Sequence, residues 1–533
     1  MESSMLRDRW LNFLVILSIA VALLVWFASI NQPLIDRHEF RQTQTALTTF
    51  FLEFDLRKFF NYETPVLGAP WSIPFEFPFY QLLVAAISRF SGLELSLSGR
   101  LINIIFGIAC IWPALDLFRH FGFKAISQKV FLILYFLSPL YLYWNRSFMI
   151  EGAASFFTLL SLSYFFKIKD NQKFADVGFW VRALLFLVSL MLGLLVKATT
   201  ALPGLLVMGL VGLPALFGRE KTGNKFSIII SYFVMALAFL ALYFWTNHAN
   251  ELKSLNPFGV DITSSALRQW NFGSLGQRFS HLLWGKVFAG NIVGVLPFVP
   301  ALLILFNSWS NSSGKKKQFL ALTISLSVLP IIIFANLHIV HDYYQAAAQV
   351  YFLMAVAASV EIVSGVESAG RIVRSLPTLV VSLYLVWDLS AFSFFYAPYL
   401  ARYDSPKLDI GRYIKEQTDP DSAIIVFGDD WSSAFPYFSK RRALVRPDVE
   451  EEVMRNSLRY LGDRKLSAVV SSKALKNEDG WDGLCDVTEN LFFPALPPRN
   501  HLLVAKLKEL AGVSTSKGKV GSDSKSWYVY RCG

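Results

Sequence analysis

Residues 11–30 read LNFLVILSIAVALLVWFASI, an apolar run without a charged side chain. A helix of this length crosses the roughly 30 Å hydrocarbon core of a bilayer. The run is longer than the apolar part of a usual signal peptide, and residues 30–36 offer no small-residue cleavage site. The sequence therefore predicts an uncleaved transmembrane helix, with the N-terminus in the cytoplasm.

Similar apolar runs recur along most of the chain, and the composition agrees with a membrane protein. Hydrophobic residues make up 54% of the 533 residues and charged residues 17%, whereas soluble domains carry about a quarter charged residues. A soluble enzyme, a disordered chain and, with three cysteines, a disulfide scaffold are excluded. We predict a polytopic α-helical membrane protein with about eleven transmembrane helices. The spans after the first are 101–118, 130–145, 150–166, 182–196, 199–217, 226–246, 287–306, 319–336, 344–362 and 375–396.

Basic residues concentrate in alternate connections between these spans. The 50 Lys and Arg exceed the 39 Asp and Glu, for a formal charge of +11, which in a soluble protein would indicate a nucleic-acid partner. Alternation of basic and non-basic loops instead follows the positive-inside rule. The predicted partner is the lipid bilayer, not nucleic acid, and the basic loops are predicted to be cytoplasmic. These loops are 119–129, 167–182, 219–225, 315–317 and 371–374.

One apolar segment, Phe77–Phe90, is short for a span and is bracketed by Glu76 and Arg89. Counting it as a span would place every later basic loop outside the cell. We therefore predict an interfacial or re-entrant helix. Residues 31–100 then form one large external loop that lies on the membrane.

The composition changes after Tyr396, where charged residues become frequent and strand-like runs alternate with helix-like stretches. This order is typical of a small α/β domain. We predict a transmembrane domain over residues 1–400 and an extracytoplasmic soluble α/β domain over residues 401–533. The strand-like runs are 423–427, 466–470 and 527–530.

The first external loop contains a tight polar cluster, with Asp36, His38, Glu39 and Arg41 opening the helix-like run Thr43–Phe60. A helix start presents backbone N–H groups to anions. Solvated loop charges are the alternative interpretation.

Three more polar groups fall on the same predicted face. Glu151 begins an apolar helix, where a carboxylate is disfavoured unless it is partnered, functional or placed for the helix dipole. Lys197 ends the fifth span, where snorkelling to the interface is the alternative. The run from His341 to Tyr344 is either a polar pocket or part of an aromatic belt. Cations bind phosphate and a carboxylate accepts a proton from an attacking hydroxyl, which suits a lipid-linked phosphate substrate.

Taken in order, these motifs resemble the bacterial GT-C glycosyltransferases, and most closely the family 39 group, which includes protein O-mannosyltransferases and the lipid A aminoarabinose transferase. The resemblance covers roughly residues 1–360. It implies a GT-C-like membrane fold and transfer of a sugar from a polyprenyl-phosphate donor, usually with inversion, on the external face of the plasma membrane. The acceptor would be an envelope glycan, lipid or protein. The motifs are Asp36…His38-Glu39-Phe40-Arg41, Trp71…Glu76…Tyr80, Arg146…Glu151, Lys197 and His341-Asp342-Tyr343-Tyr344.

The resemblance also implies roles for individual residues. The family's first-loop acid falls on Glu39 or Asp36, and Glu39 is favoured because it directly precedes the helix with Arg41. The acid after the third span falls on Glu151, which would orient the acceptor or share the proton. From the chemistry of their side chains, and not from the resemblance, we predict that Arg41, Arg146, Lys197, His341 and Tyr344 contact the donor phosphate. The pocket is predicted to contain also His38, Glu76, Asp342 and Tyr343.

Two other functions stay open at this stage. An O-antigen polymerase or ligase typically places its key Arg and His in a loop between late spans, unlike this chain. A lipid-glycan flippase places ionisable groups near the bilayer midplane with repeat symmetry, which the sequence lacks. No metal-ligand spacing is recognisable, and a divalent metal stays open as a cofactor. Cys485 and Cys532 lie in the predicted external domain and are predicted to form a disulfide.

Overall fold

Helices form most of the chain up to residue 400. The computed structural model describes residues 2–170, 174, 176–217, 222–288, 290, 298–365, 376–449, 451–475, 486–495 and 525–532. The helices are α1 (Glu2–Ala28), α2 (Glu39–Phe51), α3 (Leu56–Phe60), α4 (Phe79–Ser91), α5 (Leu95–Ala109), α6 (Ile111–His120), α7 (Ala125–Leu137), α8 (Pro139–Trp144), α9 (Glu151–Lys169), α10 (Val177–Val196), α11 (Ala198–Phe217), α12 (Thr222–Ser254), α13 (Arg268–Phe272), α14 (Leu275–Arg278), α15 (Phe298–Ser310), α16 (Gly314–Ile333), α17 (Ala335–Val340), α18 (Gln345–Ser364), α19 (Leu376–Phe395) and α20 (Ala397–Leu400). A π-helix covers Leu282–Phe288, and 3₁₀ turns cover Val260–Ile262 and Asp342–Tyr344.

The protein is a multi-pass membrane protein, as predicted, and each predicted span coincides with helix in the described residues. Three shorter apolar helices, Ala125–Leu137, Ala301–Ser310 and Leu379–Phe395, match further predicted spans, and α9 matches the span at 150–166. Within the described ranges, the helices long and apolar enough to cross a membrane are Asp8–Ala28, Leu95–His120, Val177–Val196, Ala198–Phe217, Lys225–Ser254, Gly314–Ile333 and Asp342–Ser364.

Helix boundaries differ from the sequence prediction at three places. The span predicted over 130–145 is divided between α7 and α8, because Pro139 lacks an N–H group and cannot continue the helix that precedes it. The run predicted over 43–60 forms two helices, α2 and α3, and the side chain of Asp55 caps the second by accepting bonds from the N–H groups of Arg57 and Lys58. Helix α5 already begins at Leu95, so the long loop is shorter than 31–100.

Several of the predicted basic loops meet at one end of the helix bundle. Their cations form ion pairs with Asp170 of another basic loop and with acids near the ends of α1 and α18, which places these loops on one common face. The positions 219, 221 and 371–374 lie outside the described residues. The pairs are Lys129–Asp8, His120–Asp170, Lys315–Asp170 and Lys316–Glu361.

A five-stranded sheet follows the helical part, in the strand order β2-β1-β3-β5-β4. Strands β1, β2 and β3 are parallel, and β5 is antiparallel to both β3 and β4. All three predicted strands are present, which confirms the C-terminal α/β structure, whereas the domain boundary at residue 400 stays a prediction. The elements are α21 (Pro406–Gln417), β1 (Ala423–Phe427), α22 (Ala434–Ser439), β2 (Arg442–Arg446), α23 (Glu451–Asn456), a 3₁₀ turn (Ser457–Leu461), β3 (Leu466–Ser471), β4 (Val487–Phe493) and β5 (Trp527–Cys532).

The first loop covers the open edge of this sheet at β2. The backbone N–H of Val445 donates to the carbonyl of Val66 at 2.9 Å, and that of Ala443 donates to Pro65 at 3.1 Å. The side-chain amide of Asn256, beyond α12, donates to the carbonyl of Gly68 at 3.0 Å. Pairing of an edge strand removes its exposed hydrogen-bonding groups. The loop after β1 also contacts the first loop, because the ring of Trp431 stacks on that of Phe75 at 5.7 Å between centroids.

The described cysteines differ in their state. Cys110 is free and buried, as expected for a residue of the second span. Cys532 ends β5 and is disulfide-bonded. Cys485 lies outside the described residues, so the pairing of Cys485 with Cys532 stays a prediction.

Candidate functional site

The start of α2 is tied to the 3₁₀ turn Asp342–Tyr344. His38 has a left-handed backbone with φ of 55°, and its Nε2 lies 2.8 Å from Oδ1 of Asp342. The guanidinium of Arg37 lies 2.9 Å from the other oxygen of the same carboxylate. Asp342 therefore joins the first cluster to the last one, across about 300 residues of sequence.

Asp36 is enclosed by cations. Its Oδ2 accepts a bond from Arg146 at 2.7 Å and lies 3.7 Å from the guanidinium of Arg100, and none of the three side chains is exposed. Its Oδ1 accepts a bond from the amide of Gln42. Arg146 also donates to Gln32 at 3.0 Å. Both oxygens of Asp36 are engaged, and the side chain of Arg146 is fully buried against it.

Lys197 and Glu151 form a buried ion pair, with both side chains 4% exposed. Lys197 lies in the extended break between α10 and α11, and Glu151 is the first residue of α9. The ammonium of Lys197 lies 4.0 Å from the ring centroid of Tyr344 and 4.9 Å from that of Tyr343. Lys197 is therefore neither a lone cation nor a snorkelling one.

Arg41 and Glu76 form a second ion pair beside the first. The other terminal nitrogen of Arg41 donates to Oε1 of Gln44 at 2.6 Å. Burial alone would lower the pKa of the Arg41 guanidinium, but the Glu76 carboxylate offsets this and the pKa is raised. Arg41 therefore stays charged over the whole accessible pH range.

His341 lies between these pairs as a neutral side chain. Its ring centroid is 5.2 Å from that of His38 and 5.2 Å from that of Tyr343. Burial, together with the neighbouring His38 and Lys197, lowers the pKa of His341 to about 3. A neutral imidazole offers one donor and one acceptor to a bound substrate.

Two cavities of about 860 Å³ each are lined by these residues. The first, called here the Glu39 cavity, has a polar end with Asp36, Glu39, Lys407 and Asp429, and apolar walls that include Leu140, Val340, Trp387 and Phe395. The second, called here the Lys197 cavity, is lined by Arg41, Gln44, Glu76, Lys197, His341, Tyr343 and Tyr344, with apolar walls that include Leu194, Leu195, Leu242 and Trp245. His38, Phe40 and Asp429 line both cavities.

The sheet region supplies part of this site, which the sequence analysis missed. Lys407, at the start of α21, is buried and its Nζ donates to Asp429 at 2.5 Å. Burial alone would lower the pKa of Lys407, but the carboxylates of Asp429 and then Glu39 raise it, so Glu39 lies within electrostatic reach. The ring of Trp431 lies 4.7 Å from that of Phe40. Asp429 follows β1, and ligands commonly bind at the carboxyl ends of parallel strands, a signal that was available from the sequence.

Among the described residues, no three His, Cys, Asp or Glu side chains are grouped so that they would hold a metal ion. Five acids of the site form ion pairs with cations, namely Asp36, Glu76, Glu151, Asp342 and Asp429. A carboxylate beside a cation-lined cavity has the parts for two tasks, which are proton acceptance and binding of a phosphate.

No family model and no curated protein matches the sequence. Several solved structures share its fold. ArnT from Cupriavidus metallidurans bound to undecaprenyl phosphate is 14% identical with a TM-score of 0.56, over 86% of this chain and 92% of that one. The Archaeoglobus fulgidus oligosaccharyltransferase AglB, in complex with an inhibitory peptide and a dolichol-phosphate, is 11% identical with a TM-score of 0.52, over 87% and 69%. The mycobacterial arabinofuranosyltransferase AftD is 15% identical with a TM-score of 0.50, over 88% and 35%.

These similarities confirm the GT-C fold that the sequence resemblance implied. The predicted combination of a helical membrane part and a small C-terminal sheet region is also confirmed. Assignment to family 39 stays a prediction.

Proposed function

We propose that this protein is a membrane glycosyltransferase that moves a sugar from a polyprenyl-phosphate donor to a hydroxyl group of an envelope glycan, lipid or protein on the external face of the plasma membrane. The observation that carries the proposal is the junction of the two cavities at His38, Phe40 and Asp429. The Lys197 cavity is lined by the paired cations Arg41 and Lys197, and the Glu39 cavity is lined by the acids Asp36 and Glu39. Two fold neighbours, one with undecaprenyl phosphate and one with a dolichol-phosphate, support a lipid-linked phosphate as ligand.

The donor is proposed to occupy the Lys197 cavity. Its apolar wall at Leu194, Leu195 and Leu242 suits a polyprenyl chain, because burial of apolar surface stabilises binding. Arg41 and Lys197 supply charged donors for the phosphate, and Arg is suited to bidentate phosphate contacts. His341, Tyr343 and Tyr344 line the same cavity. Arg146, which lines neither cavity, is instead proposed to hold Asp36.

The acceptor is proposed to enter the Glu39 cavity, with Glu39 as the general base. Glu39 is favoured over Asp36 because both carboxylate oxygens of Asp36 already accept hydrogen bonds, one from Gln42 and one from Arg146. Glu39 takes the proton of the acceptor hydroxyl, whose oxygen bonds to the anomeric carbon. The bond from that carbon to the phosphate oxygen breaks, and its electron pair leaves with the polyprenyl phosphate. Attack from the opposite side gives inversion.

The test is mass spectrometry of envelope glycans from cells with and without the gene. Loss of one sugar on deletion, restored by the wild-type gene and not by a Glu39→Gln variant, is the expected result. The matched control is Glu53→Gln, because Glu53 belongs to the same loop but its side chain is 55% exposed. Identical glycans and envelope lipids and proteins in both strains would contradict the proposal.

A further inference from the structure

Lys253 is a buried ammonium group to which no sequence motif draws attention. It lies next to the end of α12 and is 5% exposed. Its Nζ donates to the carbonyl of Ile262 at 3.2 Å and lies 4.7 Å from the ring centroid of Phe75. Among the described residues no carboxylate forms an ion pair with it. Lys253 also lines the Lys197 cavity.

The other cations proposed for the donor already have carboxylate partners. Arg41 is paired with Glu76, and Lys197 is paired with Glu151. The carboxylate of Glu76 also acts electrostatically on Lys253, but Glu76 forms its ion pair with Arg41. Arg41 and Lys197 thus each contact a carboxylate, whereas no carboxylate of the described residues forms an ion pair with Lys253.

A purely structural role explains only part of this arrangement. An ammonium group has three N–H donors, and here the carbonyl of Ile262 accepts one bond. Burial of a charge is costly unless the charge is paired. The face of Phe75 compensates partly as a cation–π partner, and the cavity that Lys253 lines offers room for an anionic partner.

We propose that Lys253 is an anion-binding residue of the Lys197 cavity, on its Glu76 side, and that it takes a phosphate or carboxylate oxygen of the bound donor. The identity of the ligand rests on the proposed function, whereas the anion site rests on the geometry of Lys253. Two sources supply this chemistry, which are the lipid phosphate and an acidic group on the transferred sugar.

The experiment measures ligand binding to the full-length protein in lipid nanodiscs and needs no turnover. The probes are undecaprenyl phosphate, uncharged undecaprenol and glucuronate. The variants are Lys253→Met, Lys253→Arg and the matched control Lys58→Met, because Lys58 is a lysine of the first loop whose side chain is 61% exposed. The thermal midpoint of each variant is recorded, and Lys253→Arg keeps the charge if loss of the ammonium alone perturbs folding.

If the lipid phosphate is the ligand, Lys253→Met weakens undecaprenyl phosphate binding about ten- to hundredfold, the loss expected for a hydrogen bond to a charged group. Undecaprenol binding stays unchanged, and Lys253→Arg retains most of the affinity. If the sugar carries the anion, undecaprenyl phosphate binding stays unchanged and glucuronate binding is lost in Lys253→Met. Equal binding of both anions by wild type and a folded Lys253→Met overturns the inference. Because Glu39→Gln keeps Lys253, its effect on transfer tests the proposed function separately.

Discussion

Lys197 and Glu151 form an ion pair at a point where α9 begins and the chain passes from α10 to α11. Both side chains of the pair are buried, so bulk water would not take the place of a partner that was removed. Breaking such a pair on one side leaves an uncompensated charge in a medium of low dielectric constant. The pair therefore fixes the relative position of three helix ends at the Lys197 cavity.

We expect Lys197→Met to destabilise the protein by about 3–5 kcal/mol, because it leaves Glu151 buried without its cation. The double variant Lys197→Met with Glu151→Gln should lose less, since no unpaired charge remains. Unfolding of the purified protein in detergent measures the coupling as a double-mutant cycle. Additive losses would show that the two residues act independently.

The proposed division between the first-loop acids predicts different phenotypes for them. Glu39→Gln should lower the rate of sugar transfer about 10²–10⁴-fold, the usual effect of losing a general base, and should leave the unfolding midpoint almost unchanged. Asp36→Asn should instead lower stability, because Arg146 and Arg100 then lie buried without a carboxylate. The measurement is transfer rate and thermal midpoint for both variants. A folded Asp36→Asn that lacks activity, beside an active Glu39→Gln, would move the base to Asp36.

The sequence predicted the polar groups of the site better than their partners. Asp36, Glu39 and Arg41 stand out because they are charged residues next to an apolar run. That Asp36 contacts Arg146 while Arg41 contacts Glu76 depends on how helices pack. Periodicity along one helix carries no information on such tertiary contacts.

The residues contributed from distant elements were missed for the same reason. Lys407 and Asp429 belong to the sheet region, and Lys253 lies in the last turn of the apolar helix α12 without a local motif. Helix breaks were predictable in principle at Pro139, where proline prevents continuation of the helix. The start of α5 at Leu95 was not predictable in this way. The polar residues up to Arg100 belong to the helix, and the buried guanidinium of Arg100 donates to the carbonyl of Gln32 at 2.9 Å.

Burial of two histidines predicts a loss of stability in acid. Burial and the charge of Lys197 lower the pKa of His338 to about 3, and the pKa of His341 is lowered to about 3 as well. In the unfolded chain the histidine pKa is about 6.5. Between these values the unfolded state binds more protons, so the free energy of unfolding falls as the pH drops from about 6.5 towards 3.

Each pH unit in this window should cost up to about 1.4 kcal/mol per histidine. The double variant His338→Asn with His341→Asn should therefore lose less stability than wild type between pH 7 and pH 5 (roughly the upper part of the window). Thermal midpoints at the two pH values measure this, with the exposed His281 replaced by Asn as a control. Equal losses in wild type and the double variant would contradict the explanation.

The orientation of the protein in the membrane is the last testable consequence. Lys315 belongs to the face on which basic loops meet, and its side chain is 61% exposed. Asp421 precedes β1 in the sheet region, and its side chain is 85% exposed. From the positive-inside rule we predict that Lys315 lies in the cytoplasm and Asp421 lies outside.

Cysteines introduced at these two positions report the orientation in intact cells. We expect a membrane-impermeant maleimide to label Asp421→Cys directly, and Lys315→Cys only after permeabilisation. The wild-type protein is the control, because Cys110 is buried and Cys532 is disulfide-bonded. Labelling of Asp421→Cys only after permeabilisation would place the sheet region, and with it Lys407 and Asp429 of the Glu39 cavity, in the cytoplasm. Transfer from a donor on the external face would then be impossible, since both cavities meet at Asp429.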